Sequence, residues 1–218
     1  MVQVAPAEAA DIQLLKDEES SMGLMMDEGI TTISFYKGEL KPAAEALRAQ
    51  FALVAASNAW LAGRLVKTKA GVRLRHPASP SATDINSLFT ATSAEDAAAF
   101  KLTPTSPYTK ICTNMYKSKM IVGSGKSILG KNQPVALLTL SESAPSEFAL
   151  IFSISHVVAD GDAATGCCRA GTIIFESRVV FGGHAGHVRT EGVGVGAEHL
   201  DCLHVHLRDA SGDAGVLS

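Results

Sequence analysis

The chain has no excess of positive charge, no paired-cysteine pattern and no long apolar run, and each absence removes a class of function. Nineteen basic against twenty-two acidic residues leave a formal charge of −3 and an isoelectric point near 6.2. That balance supplies no overall basic field for a nucleic acid backbone, so no nucleic acid partner is expected. The four cysteines, Cys112, Cys167, Cys168 and Cys202, show no CxxC spacing and two are adjacent. Reduced core thiols fit this better than a disulfide framework. No stretch reaches the roughly eighteen consecutive apolar residues of a membrane span. The opening MVQVAPAEAADIQLLKDEESS lacks the basic and apolar regions of a signal peptide. A soluble, cytoplasmic protein without a membrane span is expected. What is present suits folding: 218 residues, 46% hydrophobic and 19% charged, with a mean hydropathy of +0.17. This is enough chain for one large domain or two small ones around a sizeable core.

Periodicity gives the elements. Residues 1–29 are acidic and Met-rich without clean repeat, and read as a lead-in strand or loop. ITTISFY, 30–36, sets Ile33 and Phe35 on one face and Thr32 and Ser34 on the other, the period-two pattern of a half-buried strand. From Pro42, the residues Leu47, Phe51, Val54 and Asn58 recur at helical spacing. They predict an amphipathic helix ending near Asn58, with the proline in its first turn. GRLVKT and VRLRH, separated by Lys69, Ala70 and Gly71, predict a hairpin, which Pro77, Ser79, Pro80 and Ser81 end. Ser93 and Asp96 have capping-box spacing and predict a short helix to Phe100. VALLTL (135–140) and FALIFSIS (148–155), joined through Ala144, Pro145 and Ser146, are β-branched and apolar strands suited to the middle of a sheet.

Composition then breaks. Every lysine lies at or before Lys131, and five of the seven histidines lie between 184 and 206. Residues 169–218 have neither a 3.6 nor a 2.0 period and are expected to form an irregular Gly/His-rich tail, truncated or atypical, after a lobe spanning 30–168.

The FALIFSIS strand runs directly into SHVVADG, which places His156, Asp160 and Gly161 at a strand exit. A His-Asp pair four apart arises readily by chance in this composition, so spacing alone decides nothing. The context adds two things: a rigid sheet to fix the imidazole, and a glycine that permits a sharp turn after the aspartate. A neutral imidazole accepts a proton from an attacking hydroxyl, amine or thiol near neutral pH. An aspartate four residues on can brace the loop without touching substrate. The same residues equally suit a buried histidine bonded to a carbonyl and an aspartate capping the next helix.

SHVVADG resembles the HxxxD(G) signature of the CoA-dependent acyltransferase superfamily, which includes chloramphenicol acetyltransferase, the plant BAHD acyltransferases and peptide synthetase condensation domains. LKPAAEALRAQFALVAASNAWLAGRLV is similar to the family's early helix and following strand. GKSILGKNQPVALLTL with FALIFSISH is similar to the strand pair that delivers the motif. The resemblance covers roughly 30–165. It implies an α/β (α+β two-layer) lobe with a mixed sheet and packed helices. By the same resemblance His156 matches the catalytic base, Asp160 the structural aspartate and Gly161 the motif's small turn residue. Ser155 stands where condensation domains carry the first histidine of their HH pair. The implied reaction moves an acyl group from a CoA or carrier-protein thioester, a co-substrate rather than a permanently bound cofactor, to a small hydroxyl or amine acceptor. Members close the tunnel with a second lobe or by trimerisation, so one of these is expected as partner. The alternative is a non-catalytic remnant or binding module that keeps one lobe of the fold.

Other signals carry less. GSGKS (123–127) resembles the end of a phosphate loop, but Met120 stands where its first glycine belongs. Lys101, Lys110, Lys117, Lys119, Lys126 and Lys131 read as a solvated face rather than a CoA-phosphate patch. His184 with His187, and His204 with His206, lack a supporting ligand pair, so no metal is expected. Trp60, Cys167 and Cys168 read as core.

Overall fold

The computed structural model describes residues 10–13, 25–92, 103, 105–118, 120–159 and 198–205. Its strands are β1 (Ala10–Gln13), β2 (Ile30–Lys37), β3 (Arg64–Thr68), β4 (Gly71–His76), β5 (Phe89–Thr92), β6 (Ala136–Ala144), β7 (Glu147–Ile154) and β8 (Glu198–Val205). The helices are α1 (Leu40–Ser57), α2 (Ala82–Leu88), α3 (Tyr108–Lys117) and the single turn α4 (Gly125–Ile128), with a 3₁₀ turn at Ala59–Ala62. A five-stranded sheet runs β5-β6-β7-β2-β8, antiparallel except for the parallel β5–β6 pair, and a three-stranded sheet runs β1-β4-β3. This is the mixed sheet with packed helices that the sequence implies.

The long helix forms where the apolar spacing places it. Leu47, Phe51 and Val54 are buried along one stripe of α1, with Ala43, Ala44 and Ala55 beside them. Pro42 sits in the first turn, where its missing N–H costs no intrahelical bond. Asn58 closes the helix, its backbone N–H donating to Val54 O at 2.9 Å and its side-chain amide to the same carbonyl at 3.0 Å. This stripe packs with Ile30, Leu138, Leu140, Phe148, Phe152 and Ile154 on one face of the large sheet.

The opposite face is covered as well. Ile33 and Phe35 of β2, with Ala149 and Ile151 of β7, pack against Ile111 and Met115 of α3 and against Met120. The half-buried strand expected at 30–36 is therefore corrected: its alternation is real, but both faces are buried, Thr32 and Ser34 included. A sheet covered on two sides leaves no solvent face for polar positions to report.

The hairpin forms with the predicted partners, Leu65 opposite Leu74 and Thr68 opposite Gly71. Gly71 has φ +105°, a value that glycine adopts without a Cβ penalty. The stretch that ends the hairpin also starts a helix the sequence reading missed. Ser81 caps α2, accepting the Asp84 N–H at 3.1 Å while Asp84 Oδ2 accepts the Ser81 N–H at 2.8 Å. The helix expected between Ser93 and Phe100 lies outside the described residues.

Two further segments, the lead-in read as a strand or loop and the stretch 169–218, each add a strand. The lead-in contributes β1, which adds to the hairpin beside β4. The segment expected to be irregular contributes β8, which pairs antiparallel with β2 from Thr31↔Val205 to Lys37↔Glu198, with a bulge between Phe35 and Tyr36.

Candidate functional site

β6 and β7 are central strands, and their ladder extends one step past β7: the Ser155 N–H donates to Val135 O at 2.8 Å. The chain then reverses. Val158 N–H donates to Ser155 O at 3.0 Å, which makes 155–158 a tight turn with His156 at its first central position. Ser155 is wholly buried, and its hydroxyl also accepts the Val157 N–H at 3.4 Å. Val157 and Val158 point into the core and anchor the turn. A serine at 155 thus has a local task, holding the turn that presents the next residue.

His156 stands between core and solvent. Its side chain keeps 29% of its exposure, yet Nδ1 is buried and, among the described residues, without a hydrogen-bond partner. The accessible part of the ring therefore lies away from Nδ1. Among the described residues, the carboxylate of Asp27 lies beside it, with Oδ2 3.7 Å from Nδ1. Sequence reading missed Asp27, because nothing local links it to His156. The link is the β2–β7 register, which ends at Ile30↔Ile154, so the residues before β2 and those after β7 leave the sheet at the same end.

Packing fixes the surroundings. A Cβ at Gly125 would stand 2.5 Å from Val157 Cγ2 and 2.9 Å from Met25 Sδ, so the GSGKS segment lies directly against the histidine turn and the Met25 backbone. Ser124 caps the turn α4, its hydroxyl accepting from the Ser127 N–H at 3.3 Å. Lys110, Lys117, Lys126 and Lys131 are exposed, as a solvated face requires.

Arg64, in the LAGRL stretch, latches the start of β3 to the turn at Asn132. Its guanidinium donates to Ala62 O and Gly63 O, both at 2.9 Å, and to Asn132 O at 3.1 Å. Burial lowers its pKa, and the Asp84 carboxylate acts in the opposite direction. Trp60 packs against the main core cluster, in line with its reading as core.

Of the residues that sequence reading assigned to the site, the structure positions His156; Asp160 and Gly161 lie outside the described residues. So do Cys167, Cys168, His184, His187, His206, Lys101 and Lys119. His204 and Cys202 are in β8, at register positions opposite Thr32 and Ser34. Among the described residues no three His, Cys, Asp or Glu side chains gather as a metal site, and no helix is long and apolar enough to cross a membrane.

No protein-family model and no curated protein sequence matches the chain. Several solved structures are similar to part of it. The starter condensation domain of rhizomide synthetase matches at 14% identity over 72% of this chain and 35% of that one, with a TM-score of 0.44. Wax ester synthase/diacylglycerol acyltransferase from Marinobacter aquaeolei matches at 11% identity over 73% and 38%, with a TM-score of 0.46. The epimerization domain from the third module of tyrocidine synthetase B matches at 14% identity over 75% and 34%, also at 0.46. The first two are, by name, a condensation domain and an acyltransferase. The chain spans about a third of the length of each of these structures.

Proposed function

We propose that this chain is an acyl-transfer lobe in which His156 is the general base. The observation that carries the reading is the presentation of His156: it is held at the exit of a central strand by a tight turn, with one ring nitrogen buried and the side chain 29% exposed. The SHVVADG resemblance supplies the reaction class. The imidazole removes the proton from an acceptor hydroxyl or amine as that group attacks the thioester carbonyl of an acyl-CoA or acyl-carrier donor. The new C–O or C–N bond forms and a tetrahedral oxyanion results. Its collapse breaks the C–S bond, and the leaving thiolate takes the proton held on the histidine. The products are the ester or amide and the free thiol, and nothing is oxidised or reduced. By the resemblance, Asp160 takes the role of the structural aspartate and Gly161 that of the motif's small turn residue. A second lobe or further copies of the chain supply the opposing wall.

The test is thiol release from acyl-CoA donors with a panel of small hydroxyl and amine acceptors. A general base is worth about 10²–10⁴-fold, so His156→Ala is expected to lower the acceptor-dependent rate by at least a hundredfold while the fold is retained. Equal rates in the variant and the parent overturn the reading and leave a binding module.

A further inference from the structure

We propose that Asp27 is the positioning residue of His156: its carboxylate accepts the Nδ1–H of the imidazole and holds the ring in the tautomer that leaves Nε2 free to take a proton. The backbone delivers Asp27 to this place. Gly29 N–H donates to Val122 O at 3.2 Å, and a Cβ on Gly29 would stand 2.6 Å from that oxygen and 2.9 Å from Ile154 O. Only a glycine lets the chain lie so close to the end of β7, two residues before His156. On the other side of Asp27, Met25 is wedged against Gly125, which also touches Val157. The segment carrying Asp27 is thus held from both flanks against the two residues that bracket His156.

The chemistry of the gap points the same way. His156 Nδ1 is buried and makes no hydrogen bond among the described residues, and an unpaired buried polar atom costs free energy. Asp27 Oδ2 is 3.7 Å away on a side chain 62% exposed, so it has the freedom to close on the nitrogen, as catalytic contacts do when a site fills. An ionised carboxylate only accepts, so the nitrogen facing it must carry the hydrogen, and the lone pair is left on Nε2. The proposal deepens the acyl-transfer reading and rests on it for the role of Nε2; the tautomer itself stands independently of any substrate.

Long-range ¹H–¹⁵N correlation spectra of the full chain, at a pH where free imidazole is neutral, report the tautomer of His156 directly. In the parent the Nδ1–H form is expected to dominate. Asp27→Ala is expected to shift the ring toward the mixture shown by free histidine, and Asp27→Glu to restore the Nδ1–H form. An Nε2–H ring in the parent, or a ratio unchanged in Asp27→Ala, overturns the proposal. Where the parent turns over, kcat of Asp27→Ala is expected to fall about ten- to a hundredfold with KM held, and an unchanged kcat also counts against positioning. A tautomer controlled by Asp27 in a chain that transfers no acyl group supports the positioning and removes the acyl-transfer reading alone.

Discussion

Ser81 and Asp84 show how much one local contact sets at the scale of a residue. The Ser81 hydroxyl donates to Asp84 Oδ2 at 2.7 Å, and its backbone N–H reaches the same oxygen at 2.8 Å. These two bonds, the side-chain one first, hold the Asp84 carboxyl below its ordinary range, and the Arg64 charge adds to them. The sign of the linkage follows. A carboxyl whose folded pKa lies below its unfolded value stabilises the fold fully above the unfolded value and stops doing so as pH falls through the folded one. Ser81→Ala removes the cap and is expected to cost about 1 kcal/mol at neutral pH. The difference between parent and variant is expected to narrow below about pH 4, where the carboxyl protonates. Urea titrations at several pH values check both statements, and a difference that widens on acidification counts against the cap as the source. The cap itself was readable from Ser81-x-x-Asp84. Pro77 and Pro80 masked it, because they mark the end of the hairpin so strongly that the following serine reads as part of the same turn.

At the scale of the element, Ser153 ties three segments together beneath the histidine turn. Its hydroxyl bonds Thr31 Oγ1 across the β2–β7 pair at 2.9 Å and accepts the Val122 N–H at 2.9 Å. All of this is buried, so no water replaces a missing partner. Ser153→Ala leaves the Val122 N–H unsatisfied and is expected to cost about 1–3 kcal/mol, read as a lower urea midpoint with an unchanged slope. A loss below a few tenths would mean the loop at Val122 relaxes to find another acceptor. Helices and strands with their own period, α1 and the β6–β7 pair above all, were legible because a buried stripe repeats within a few residues. The burial of Thr32 and Ser34 was not: polar residues on an alternating strand signal solvent unless a second layer covers that face too, here the α1 side of the sheet, where Ile30, Phe148 and Phe152 also pack. The histidine was visible because a strand runs into it. Its carboxylate neighbour was not, because only a ladder between distant strands brings Asp27 to it.

At the scale of the whole molecule, the sheet is assembled out of sequence order. β2, the first strand of the large sheet, lies between β7 and β8, the last two among the described residues. A chain that stops at residue 197 lacks β8 and leaves the backbone groups of Thr31–Lys37 on that side without their partner strand, an open edge of the kind that recruits other chains. Such a truncation is expected to associate in a concentration-dependent way in light scattering, whereas the full chain at matched concentration does not gain mass by that edge. Equal behaviour of the two would mean that β8 does not guard β2.

The same ordering sets a timetable during synthesis. A ribosome makes β2 early, yet its flank on the β8 side waits until everything from Gly38 to Ala197 has been made. Throughout that interval the nascent protein carries an adhesive border, and escape from unwanted pairing depends on how quickly synthesis of β8 delivers its cover.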